Sequence, residues 1–182
     1  MEITTREFWT LVHGMGFGAL YLLAFAGGLA GLYSLRPEWV TTTGMRERMT
    51  LLNVGMWGMA AIVWLTVIVG TWIVYPWYRA TPPTSVDLKS AAALLDYPRY
   101  FLLARESTAE WHKFGMEWKE HVAWLVPIAA TMVASLVSHY GARLATNTMM
   151  KRTVAVLFVV AFAASAVAGV LGALITKAAP LH

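Results

Sequence analysis

The chain has 182 residues, a formal charge of +4 and no cysteine, and 58% of it is hydrophobic against 13% charged. Soluble domains carry about a quarter charged residues, so this chain lacks the polar surface a water-soluble fold needs. The absence of Cys excludes disulfides, thiolate-held iron–sulfur clusters and covalent c-type haem attachment within the chain, and the basic balance of so apolar a sequence points to lipid rather than nucleic acid.

Four stretches, Phe8–Leu35, Met49–Tyr78, His121–Ala142 and Thr153–Thr176, contain no Asp, Glu, Lys or Arg. Each has at least the roughly 20 residues that a helix needs to cross a hydrocarbon core. They predict an all-α integral membrane protein, a single domain built as a four-helix transmembrane bundle.

Span one covers about 9–35 and is glycine-rich at Gly14, Gly16, Gly18, Gly27, Gly28 and Gly31. Its leading segment, with two Glu against one Arg, and its long apolar run fit a retained span better than a signal peptide. Arg36-Pro37 ends it. Span two covers about 50–75, with Tyr75, Trp77 and Tyr78 as interfacial aromatics and Pro76 as the expected break. A long extramembrane connection, 79–117, is expected to hold short amphipathic helices around Leu88, Leu94 and Leu95 and around Phe101, Leu102 and Leu103. Ser107-Thr108-Ala109-Glu110 reads as a capping box that starts a helix running into span three, about 118–139, with Pro127 as a candidate kink. Span four covers about 153–176 and is rich in Ala and Gly.

The loops after spans one and three must share one side. They carry Arg36, Arg46, Arg48, Arg143, Lys151 and Arg152 against Glu38 and Glu47, whereas the opposite side is balanced. The positive-inside rule therefore places the short loops in the cytoplasm of a bacterial inner membrane, with both termini and the long connection outside.

Histidines are the candidate functional groups. His13 lies about nine residues before the middle of span one and His121 nine before the middle of span three, roughly 14 Å from the centre in each case. Spans one and three run in the same sense, so the two imidazoles are expected at one level on neighbouring helices. That arrangement suits the two axial ligands of a b-type haem, with iron held by His13 and His121. Gly14 and Gly16 beside His13 would leave room for a macrocycle, or else serve close helix packing. His112, nine residues before His121, falls on the opposite face of a continuous helix. It reads as a solvated interfacial residue, with an alternative ligand role or a place in a quinone-head pocket as the sharper possibility. His139 lies about 27 Å along the helix from His121 and reads as interfacial. His182 reads as tail.

No P-loop, catalytic triad or zinc-ligand spacing is present. In architecture alone the layout resembles the small four-helix cytochrome b anchors of respiratory complexes. The expectation is a non-catalytic electron-transfer subunit binding haem b, passing electrons between a partner redox subunit and quinone. Its partners would be other membrane and peripheral subunits of a respiratory or photosynthetic complex, together with lipid. The alternatives are a cofactor-free structural subunit and a subunit whose His ligates a chlorophyll-type pigment.

Overall fold

A computed structural model describes residues 2–39 and 41–179; His182 lies outside them. The described residues form helices and connecting turns without a strand. Four helices are long and apolar enough to cross a membrane: Thr5–Tyr33, Thr42–Tyr78, Glu106–Ala145 and Thr148–Ala178. They are spans one to four below.

Each span packs on the next in sequence, and span one also packs on span four. This closes a square and sets spans one and three across its diagonal, not side by side as the sequence reading has them. The core holds Tyr21 and Leu32 of span one, Met56 and Val63 of span two, Val133 and Val137 of span three, and Phe158 and Ala161 of span four. The outer surface is apolar as well: Leu23 is 77% exposed, Leu51 74% and Val156 60%. A surface of that kind belongs in lipid, where burying apolar side chains gains nothing and helices associate through close packing and polar contacts.

Both kinds of contact are present. A Cβ on Gly28 would lie 2.9 Å from the Phe158 ring, so the glycine is what lets that ring lie against span one. Phe25 stacks on Phe162 at 4.0 Å between centroids, tying spans one and four. Spans two and three are joined by hydrogen bonds. Trp64 Nε1 donates to Thr131 Oγ1 at 3.0 Å, Trp57 Nε1 to Ser138 Oγ at 2.9 Å, and Ser138 Oγ to Asn53 Oδ1 at 2.9 Å.

Several local expectations are revised. The capping box is at the start of span one, where Thr4 accepts from the Glu7 N–H and Glu7 accepts from the Thr4 N–H. Ser107 is no cap. The helix there begins at Glu106, and the Thr108 hydroxyl donates back to the Leu102 carbonyl at 2.8 Å. Pro76 does not end span two, which continues to Tyr78 through a wide π turn at Gly70–Val74. Such a turn absorbs the hydrogen bond that proline cannot make. Pro127 follows a tight 3-10 turn at Val122–Trp124, so the irregularity in span three precedes the proline.

Between spans two and three the chain forms a 3-10 turn at Ala92–Leu94 and a short helix at Pro98–Leu103. Leu94 and Leu102 are buried, while Leu88, Leu95 and Leu103 are exposed. Leu102 joins Tyr78, Met116, Ile175 and Ala179 in a second, smaller core at the end of the bundle that carries the termini.

Candidate functional site

Three π turns interrupt the spans, at Val12–Gly18, Gly70–Val74 and Trp111–Met116. Wide turns of this kind are uncommon and concentrate at functional sites. All three bear on a histidine. The first contains His13, the second begins at the glycine on which His13 rests, and the third contains His112.

The His13 side chain points into the bundle toward span two. Its Nδ1 lies 2.8 Å from the Thr66 backbone carbonyl. A carbonyl only accepts, so Nδ1 carries the ring proton and Nε2 keeps its lone pair. The ring rests on Gly70, where a Cβ would come within 2.5 Å of Cε1. Gly70 is thus the glycine that makes room beside His13, and the sequence reading missed it. Gly14 and Gly16 are exposed, with open space or only Val12 of their own helix beside them. The room they leave lies off the interior face.

Across the bundle, Lys119 of span three reaches span four. A Cβ on Gly172 would stand 2.7 Å from its Nζ. The amine is near enough to the His13 ring to act on it electrostatically. No hydrogen bond or ion pair holds it among the described residues. All four spans therefore meet at one place, through His13, Thr66 and Gly70, Lys119, and Gly172. Deeper in the core, Tyr21 is fully buried and its hydroxyl has no hydrogen-bond partner among the described residues.

His121 stands two residues beyond Lys119 but on the outside of span three. Its Nδ1 is 2.9 Å from the Glu117 carbonyl, and its side chain is 72% exposed. The structure does not bring His13 and His121 onto a common partner. The Glu117 carbonyl fixes a proton on Nδ1 of His121.

His112 corrects the expectation of a solvated residue. It is 7% exposed, and its Nδ1 lies 2.7 Å from the hydroxyl of Tyr78, itself buried. Its π turn carries it inward against span four. Beside this pair Arg79 and Glu120 approach to 3.6 Å. His139 packs edge-on against its neighbour Tyr140 and takes no part in either cluster. Among the described residues no group of three or more His, Cys, Asp or Glu is placed to hold a metal ion.

No family model, curated protein or solved structure matches this chain. The site therefore has to be read from its own chemistry.

Proposed function

We propose that this chain is a membrane-embedded electron-transfer subunit that binds haem b through His13 and passes electrons between a partner redox subunit and quinone. The observation that carries the reading is the Nδ1 contact of His13 with the Thr66 carbonyl. Metal-bound histidines typically donate their second ring N–H to a carbonyl or carboxylate, which fixes the tautomer and raises the basicity of the other nitrogen. The donor chemistry of His13 fits a haem ligand on that ground. The space at Gly70 is filled by the imidazole itself, so it serves to seat the ligand and not the macrocycle.

A second ligand would come from span three, which offers His121 and His112. One iron can be shared only by groups at one level. His121 lies within about 3 Å, along the helix axis, of the Lys119 level. We therefore assign this role to His121, whose ring would have to leave the Glu117 carbonyl and swing inward from the outer face of span three to reach the iron. When bound, haem would supply a one-electron carrier in a low-dielectric setting. The Thr66 carbonyl would hold the ring with its proton on Nδ1 and leave Nε2 as the ligand nitrogen. In this reading the bundle lies in a bacterial inner membrane with its short loops cytoplasmic, and the connection rests on the outer surface.

The test is a reduced-minus-oxidised visible spectrum of the purified protein. A sharp alpha band is expected, lost in His13→Ala and in His121→Ala and retained in His139→Ala. A flat spectrum from wild-type protein purified after expression with haem supplied would sink the proposal.

A further inference from the structure

Toward the short-loop end, spans one and two part on their outer side and leave a groove of about 790 Å³. Gly27, Gly28 and Gly31 line it from span one, and Gly55 from span two. Gly28 and Gly31 are closed in by Phe158 and Leu52, but nothing stands within 4 Å of a Cβ added at Gly27 or Gly55. The groove is therefore open beside those two. It ends at Ala24 and Met59. At the other end its edge carries Glu47 and Arg48, with Ser34 and Thr41 from the connection between the spans. Both charged side chains are exposed, and no hydrogen bond or ion pair holds either of them among the described residues. Met59 lies eleven residues beyond Arg48, about 16 Å along the helix. That is close to half of a hydrocarbon core of about 30 Å, so the groove covers one leaflet. A partner span would need a face that continues through the other leaflet, whereas an acyl chain needs only one.

We infer that this groove binds one aminophospholipid of the short-loop leaflet. An acyl chain lies against Gly27 and Gly55, the phosphate meets Arg48 and the primary ammonium meets Glu47. The glycines accept any chain, since exchanging one hydrocarbon contact for another gains little in a bilayer. Selection comes from the head. The arginine fork matches phosphate oxygens. A carboxylate only accepts hydrogen bonds, which a primary ammonium donates and a trimethylammonium cannot. An anionic head without an amine would leave Glu47 beside a phosphate, a repulsive contact. The groove lies at the opposite end of the bundle from His13, and the inference does not depend on the haem reading.

The experiment takes the full-length protein in detergent and adds phosphatidylethanolamine, phosphatidylcholine and phosphatidylglycerol of one acyl composition in equal amounts. Native mass spectrometry counts the lipids retained per chain. One phosphatidylethanolamine per chain is expected, in preference to the other two. Arg48→Gln should lower its retention about tenfold, the loss of one charge-assisted contact. Glu47→Gln should still hold lipid and lose the preference for the primary amine. Gly55→Leu fills the open side of the groove and should lower retention of all three lipids. Gly27→Leu serves as a second filling variant should Gly55→Leu unfold, and the unfolding temperature of each variant reports its fold. Equal retention of the three lipids by wild type would overturn the inference, as would unchanged retention in folded Arg48→Gln or an undiminished amine preference in Glu47→Gln. Preference for phosphatidylglycerol would assign Arg48 to an anionic lipid and overturn it. A co-purified quinone, or a dimer, that Gly55→Leu removes would give the groove a different occupant and also overturn it.

Discussion

Gly70 and His13 show how much of this protein turns on the absence of one atom. An alanine at position 70 would put Cβ 2.5 Å from the His13 ring, well inside contact distance. The ring would have to leave the Thr66 carbonyl. Overpacking of this kind costs about 1–3 kcal/mol. Gly70→Ala is therefore expected to lower the unfolding temperature in detergent and, under the haem proposal, to weaken the visible spectrum. Gly58→Ala, with nothing within 4 Å of the added carbon, should do neither. Equal unfolding temperatures for the two variants would contradict this account of Gly70. A second single-atom test concerns Tyr78. Tyr78→Phe removes the hydroxyl 2.7 Å from His112 Nδ1 and leaves a buried ring nitrogen without a partner. The expected loss is about 1–3 kcal/mol. The double variant Tyr78→Phe with His112→Phe should recover part of it, because no polar atom is then stranded.

At the scale of elements, span four is tied to span one by aromatic packing, with Lys151 Nζ adding a hydrogen bond to the Leu35 carbonyl at 3.1 Å. Phe158 is 1% exposed, lies against Gly28 and contacts the Phe25 ring. Phe158→Ala should cost about 3–5 kcal/mol, the usual loss when a buried aromatic leaves a cavity. Val156→Ala, at an exposed position on the same helix, should be near neutral. A similar loss for both would mean that the surface carrying Val156 is covered. The four elements themselves were legible in the sequence because runs free of charge are long and unambiguous. Their interruptions were not. A π turn has no strong sequence signature; counting 100° per residue put His112 and His121 on opposite faces, as they are, but the inner face is the one that carries His112. Taking the His121 face as the inner one hid the Tyr78–His112 pair. Pro76, Trp77 and Tyr78 read as an interfacial end, yet the π turn at Gly70–Val74 carries the helix through them. Gly70 and Gly172 were two glycines among 14, and only the fold shows which of them face a functional group.

For the whole molecule, the charge asymmetry of the loops makes a prediction independent of any cofactor. Single cysteines at Thr42 and Thr146, in a chain that has none of its own, should resist an impermeant thiol reagent on intact cells and react once the membrane is opened. Labelling of both on intact cells would invert the topology and move the His13–Lys119 level to the cytoplasmic side. The square packing also explains why the sequence could place His13 and His121 by depth and not by direction. Depth follows from counting residues along a straight axis. Direction depends on which neighbours each helix finds and on every turn that departs from 3.6 residues. Here spans one and three lie across a diagonal, with Lys119 turned inward and His121 turned out.

The wide turns also bear on how the chain can change in length. Each π turn accommodates one residue beyond what a regular helix requires. Removing a single residue from Trp111–Met116, such as Phe114, would let that turn tighten to ordinary α geometry while the helix on either side keeps its facing. The same deletion inside Leu125–Tyr140 would rotate everything beyond it by about 100° and bring lipid-facing side chains into the core. Insertion and deletion tolerance along the spans should therefore be uneven. It should be concentrated at the three segments around the histidines, so that alignment gaps there would mark where the helices widen.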